Sequence, residues 1–191
     1  GIFSQGLFAT TSDALPLSTL TIQSGGVLTH ASNTIAQVSI NKLSLTTLTV
    51  DSGGSIDVYA KGYSGGVTQG AGDTGDGPGA GGGSGSYGGG AGHSGTGGFS
   101  ADSGAGGVAY CNNSNPDTLG SGSGTWNSGR SGFGGGLFIA TVSGTFTLNG
   151  SLTAKGMAGT TYAGGGAGGG VNITARTVAG TPTSFDVSGG N

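Results

Sequence analysis

Two aspartates three positions apart, in Asp73-Thr74-Gly75-Asp76-Gly77, are the residues of this chain best spaced for chemistry. Carboxylate oxygens presented by a tight glycine turn suit calcium. Calcium-binding repeats set such aspartates in tandem nonapeptides, and this sequence does not. Asp73 and Asp76 therefore read first as turn-stabilising residues, with calcium as the lesser reading. Gly83-Ser84-Gly85-Ser86-Tyr87-Gly88 satisfies G-x-G-x-x-G. No helix follows it to offer an N-terminus to a pyrophosphate, and a glycine-rich tract produces such matches by chance. Glycan cleavage asks for paired carboxylates in one cleft. Asp51 falls where related segments carry Gln23 and Asn149, and Asp57 aligns with Thr29 or Thr153, so any polar residue serves there. Lys61 and Lys155 recur in the same way and look architectural. His30 and His93 are far apart, and neither has an evident nucleophile or ligand partner. Cys111 is the single cysteine, which excludes an intrachain disulfide. These residues point away from an enzyme, and they call for no cofactor and no metal.

The elements that would position any site are unusual. Of 191 residues 49 are glycine, and nearly half of residues 62–107 are. Glycine forfeits about 0.5–1 kcal/mol more backbone entropy than alanine on ordering, so the tract carries a handicap on the order of 10–20 kcal/mol. A typical domain has a stability of only about 5–15 kcal/mol. The tract is thus either a flexible linker or a structure in which close backbone approach offsets the entropy. Disordered segments combine high net charge with few aromatic or branched residues. Here the formal net charge is -3, and Val67, Tyr87, Phe99, Val108 and Tyr110 interrupt the tract, which favours order. The mild acidity and only five Lys plus Arg argue against nucleic acid and anionic membrane surfaces. No apolar run approaches the length of about 20 residues that spans a bilayer.

Outside the tract, apolar and small polar residues alternate with period two, the pattern of half-buried strands. Leu20-Thr21-Ile22-Gln23, Leu48-Thr49-Val50-Asp51, Phe138-Ile139-Ala140-Thr141-Val142, Thr145-Phe146-Thr147-Leu148 and Val171-Asn172-Ile173-Thr174-Ala175 show it. No segment carries a helical period, so the chain is expected to be all-β. The strands repeat. Leu20-Thr21-Ile22-Gln23-Ser24-Gly25-Gly26-Val27-Leu28 realigns with Leu48-Thr49-Val50-Asp51-Ser52-Gly53-Gly54-Ser55-Ile56, and Phe146-Thr147-Leu148-Asn149-Gly150-Ser151-Leu152 is a looser copy. Strand, glycine corner and strand, repeated at intervals of about 20–30 residues, suggest a solenoid. The expectation is a parallel β-helix over residues 17–191 as a single domain, with a glycine-rich insertion at 62–136. A β-sandwich is the alternative, disfavoured because Asn149-Gly150 is the only Asn-Gly or Asp-Gly turn pair that falls between two of these strands.

The order of these blocks resembles the glycine-rich β-helical repeats of secreted bacterial surface proteins. The matching blocks are Leu48 to Val58, Lys61-Gly62-Tyr63, the glycine tract, Ala109-Tyr110, Asn115 to Gly122, Gly134 to Ile139 and Gly144 to Gly150. The resemblance spans about residues 17–191. It implies an extracellular or cell-surface location and a structural or adhesive role without a catalytic site. Cys111-Asn112-Asn113 and Trp126-Asn127 depart from the usual pattern.

The first residues, Gly1 to Thr10, are strongly apolar. Residues 1–16 form an extension expected either to fold over the chain's own strands or to add to a neighbouring subunit's sheet, with Ile2, Phe3, Leu7 and Phe8 as assembly residues. The functional expectation is a non-enzymatic subunit of a self-assembling fibre or surface layer, its principal partner another copy of itself. Tyr63, Tyr87, Tyr110, Trp126 and Tyr162 read first as rings that seal the glycine-rich layers, where glycine offers no area to bury, and second as sugar-stacking platforms. An adhesin or phage-fibre module that binds glycans is the runner-up, with Tyr87 and Trp126 as the glycan contacts, and a polysaccharide-degrading enzyme comes third. Asn112, Asn149 and Asn172 begin N-x-Ser/Thr sequons and are the candidate N-glycosylation positions.

Overall fold

The computed structural model describes residues 18–67, 72–83, 86–101, 104–126 and 130–191. The assembly residues Ile2, Phe3, Leu7 and Phe8 lie outside them. The described residues hold nine strands and no helix. They are β1 (Thr19–Ile22), β2 (Val27–Leu28), β3 (Asn41–Leu45), β4 (Thr47–Val50), β5 (Ser55–Asp57), β6 (Leu137–Leu148), β7 (Ser151–Thr153), β8 (Gly170–Ala179) and β9 (Ser184–Asp186).

The strands form two sheets. The first runs β1-β4-β6-β3, with β8 also paired to β6; the second runs β2-β5-β7-β9. The register follows the sequence repeat: Leu20 lies opposite Leu48, Ile22 opposite Val50, and Leu28 opposite Ile56. Phe146 and Leu148 continue the first alignment, and Leu152 continues the second. Each repeat turns between sheets at a glycine corner. Gly25 and Gly53 both take left-handed backbone, at φ 78° and 79°, which costs a residue with a Cβ about 1–2 kcal/mol. The corners stack as well, Gly25 N–H donating to the Gly53 carbonyl at 2.8 Å.

The parallel β-helix expectation is corrected by this topology. A solenoid stacks a uniform series of coils, each on the one before it. Here β3 and β4 lie end to end along one edge of β6, against Phe138–Val142 and Phe146–Leu148 respectively. The described residues of the long segment between β5 and β6 add no strand to either sheet. The result is a curled half-barrel of two parallel sheets. A β-sandwich of hairpins fails too, because every ladder between named strands is parallel. The repeat legible in the sequence belongs to the strand–corner–strand unit and says nothing about how the chain returns between units.

Both sheets bury one face in a shared core of Ile22, Leu43, Leu45, Leu48, Val50, Ile56, Phe138, Ala140, Val142, Phe146, Leu148 and Leu152. Full burial of a large aliphatic side chain such as Leu48 contributes about 1.5–3 kcal/mol. The glycine-rich segment packs beside this core through bare backbone. Gly82 donates to the Ala105 carbonyl, Gly89 to Gly82, Gly124 to Gly89, Gly164 to Gly124 and Gly132 to Gly164, all within 2.8–3.1 Å. This relay joins separate stretches of chain at a spacing that excludes side chains: a Cβ on Gly124 would overlap the Gly82 carbonyl, and one on Gly134 the Gly120 carbonyl. Tyr63 with Leu119 and Leu137 forms a small second core under this layer.

Candidate functional site

Two surfaces stand out. The first is the end of the sheets formed by β8 and β9. In the first sheet the inward column Leu20, Leu48, Phe146, Val178 runs through strand after strand. In the second, Leu28, Ile56, Leu152 and Phe185 do the same. Leu48, Ile56 and Leu152 are fully buried, whereas Val178 is 69% and Phe185 53% exposed. The apolar core is therefore cut open at this end. A pocket of about 300 Å³ lies there, lined by Phe146, Leu148, Ile173, Val178, Pro182 and Phe185 among others. Among the described residues β8 pairs only with β6 and β9 only with β7, so each has an unpaired edge. At the opposite end β1 pairs only with β4 and β2 only with β5, and Val27 is exposed. Lys155 Nζ, just past the end of β7, lies 3.7 Å from Asp186 Oδ2 on β9. Asp186 Oδ1 also accepts the Ser188 N–H, and hydrogen bonds from Ser188, with Lys155 adding less, hold its carboxyl below the usual carboxylate range. The recurring lysines thus brace neighbouring segments, Lys61 reaching Ser32 in the same way.

The second surface is aromatic. The Tyr162 ring packs on Tyr87 with centroids 5.5 Å apart and meets Trp126 edge-on at 5.8 Å. Three chain segments are held together beneath the rings by one atom: the Tyr162 carbonyl accepts N–H bonds from both Gly88 (3.0 Å) and Trp126 (3.2 Å). Tyr162 has φ 69°, a left-handed conformation that a bulky residue holds only under constraint from its surroundings. The turn is fixed by Ala163 N–H to the Thr160 carbonyl and by reciprocal bonds between Thr160 and Arg130. Tyr87 and Tyr162 remain 39% and 40% exposed. The structure thus brings together Tyr87 and Trp126, the two glycan-contact candidates, through a third ring. Tyr162 is among the five aromatic residues of the sequence reading, but spacing alone gives no reason to single it out from Tyr63 and Tyr110, because a strandless backbone relay carries the connection. The other tyrosines of the glycine layer serve differently. Tyr63 is buried, and Tyr110 donates to the Leu119 carbonyl and accepts from Ser121 Oγ. Burial pushes the Tyr110 hydroxyl well above its ordinary range.

The remaining candidates sit elsewhere. Asp76 accepts from Ser64 Oγ, and Asp73 Oδ2 accepts the Val67 N–H at 3.0 Å, so both carboxylates hold the chain's own donors. No group of three or more His, Cys, Asp or Glu side chains converges among the described residues. His30 and His93 occupy separate buried positions. His30 Nε2 accepts the Leu137 N–H and Nδ1 faces the Ala31 carbonyl at 2.8 Å, which fixes a neutral ring protonated on Nδ1. Burial lowers the pKa of both histidines. His93 packs edge-on against Tyr110 and bonds Thr118 Oγ1. Of the sequon asparagines, Asn149 Oδ1 accepts from Thr181 and Asn172 Nδ2 donates to Asn115, both half-buried, whereas Asn112 is exposed in a turn. No helix among the described residues is long and apolar enough to cross a membrane. No family model, no curated protein and no solved structure matches the chain.

Proposed function

We propose that this chain is a non-enzymatic extracellular structural protein whose copies join head to tail through strand contacts, as a unit of a fibre or surface layer. The observation that carries this reading is the cut core at β8 and β9, where Val178 and Phe185 continue buried columns into solvent. All ladders between the named strands are parallel, so a second copy set with β1 and β2 against β8 and β9 extends both sheets by simple translation. Such a contact is heterologous and does not close, which yields a filament. Leu20 and Leu28, already packed against the core, would cover Val178 and Phe185. Electron microscopy and sedimentation velocity of the purified chain across a concentration series test this directly. Filaments or a concentration-dependent ladder of oligomers are expected, and monodisperse monomers at high concentration would refute the reading.

The aromatic cluster favours a second reading, a glycan-binding module of an adhesin or phage fibre. Exposed rings offer apolar faces to the C–H side of a sugar, and Tyr87 and Tyr162 expose theirs side by side. Glycan-array binding lost on Tyr87→Ala or Trp126→Ala, with the fold retained, would support it over assembly alone.

A further inference from the structure

The outer face of the first sheet carries a regular threonine lattice. Thr19 pairs with Thr47 across β1 and β4 and Thr145 with Thr177 across β6 and β8, and Thr21, Thr49 and Thr147, two residues further along, form a second column that runs unbroken through β1, β4 and β6. They alternate with buried Leu48, Val50, Phe146 and Leu148, so the threonines point outward. The last strand closes the second column with Ala179. Neighbouring strands stand about 4.8 Å apart, and residues i and i+2 about 6.7 Å, so hydroxyls and methyls repeat in two dimensions. Threonine is β-branched and stiff at χ1, which keeps that repeat ordered at little entropic cost. No side-chain hydrogen bond within the described chain engages any of the seven hydroxyls. The two columns contain no charge; Lys42 and Arg176, the cations of β3 and β8, lie outside them.

A lattice of unpaired hydroxyls alternating with methyls, fixed by the ladder and free of charge, matches a partner that is itself a regular array of hydrogen-bonding oxygens. The oxygens on the faces of hexagonal ice repeat at spacings close to those of the two threonine columns. A small soluble ligand would not use the periodicity, and a polyelectrolyte would need charge. We propose that this threonine face binds the surface of ice. The proposal is independent of self-assembly, since one copy presents the whole lattice, and independent of the aromatic cluster.

The test is partition of the fluorescently labelled chain into a slowly growing ice hemisphere, read beside freezing-point hysteresis. The wild-type chain and Ser55→Lys, on the outer face of the other sheet, are expected to enter the ice. Thr49→Lys, which sets a mobile cation between Thr21 and Thr147, is expected to stay in the liquid with its circular dichroism unchanged. Should Thr49→Lys fail to fold, Thr21→Lys, exposed on the edge strand β1, gives the same reading. Exclusion of the wild-type chain from ice, or entry of the folded lysine variants, overturns the proposal. Adsorption to crystalline chitin or cellulose powder in place of ice also overturns it and assigns the lattice to a polysaccharide surface.

Discussion

Phe146 and Val178 are register partners on adjacent strands, yet Phe146 is 3% exposed and Val178 69%. One column of the core thus passes from interior to solvent in a single strand step, and Leu152 and Phe185 repeat the step in the second sheet. Ends of this kind are ordinarily blunted by charge, proline or a covering segment; here Pro182 lines the pocket while the two column residues stay uncovered.

Val178→Asp combined with Phe185→Asp should therefore abolish association while leaving the monomer folded. Both side chains are already more than half exposed, so each substitution should change stability by less than about 0.5 kcal/mol. Sedimentation velocity and a thermal melt check the two halves separately. Unchanged oligomers in the double variant would place the contact elsewhere.

The glycine layer makes a sharper claim about packing. Gly134→Ala would drive a Cβ into the Gly120 carbonyl at a residue whose own N–H and C=O serve Tyr63 and Gly62. With backbone on both sides unable to yield, the cost should reach at least the 1–3 kcal/mol typical of overpacking, on the order of 3 kcal/mol. Gly98→Ala is the counter-test, because open space surrounds that position and its φ lies outside the left-handed region. It should stabilise by about 0.4–1 kcal/mol through the unfolded state. Urea midpoints with equal slopes measure both.

Much of the first sheet could be read in advance, and particular residues show why the rest could not. Leu20 with Leu48 and Leu28 with Ile56 aligned in sequence as they pair in space, because side-chain period and corner glycines both leave a trace in residue type. The partners of Gly82, Gly89 and Gly124 left none, since a glycine reports close approach without saying to what. The return path of the chain was invisible for the same reason, and the solenoid inference failed there. The meeting of Tyr87, Trp126 and Tyr162 depends on that path.

Acid should weaken the fold through the histidines. His30 is buried and neutral, accepting the Leu137 N–H, and burial, assisted by the Lys61 charge, holds its pKa below the ordinary 6.5. Above about pH 6.5 the folded and unfolded states are both neutral and stability is flat. As pH falls below that value the unfolded chain takes up protons first, so stability declines until the lower folded pKa is passed. His93 adds to the decline in the same direction. Chemical unfolding at pH 7.5 and pH 5 should show the loss, and His30→Gln should reduce its pH dependence while leaving the part due to His93. Equal stability at the two pH values would contradict the buried, neutral state of the two histidines.

Tyr162 separates the role of a ring from the role of its backbone. Its φ of 69° costs a residue with a Cβ about 1–2 kcal/mol, a strain that glycine would not feel. Tyr162→Gly keeps the carbonyl that holds Gly88 and Trp126 and removes only the ring between Tyr87 and Trp126. If the cluster serves to recognise a glycan, this variant should lose glycan-array binding at least as completely as Tyr87→Ala. If the ring is there to seal the glycine layer, the melt should fall despite the relieved strain, because an aromatic pair adds about 0.5–1.5 kcal/mol beyond the area it buries and Tyr162 makes two such contacts. A drop in melting temperature with glycan binding intact would assign the cluster to packing and refute the glycan reading.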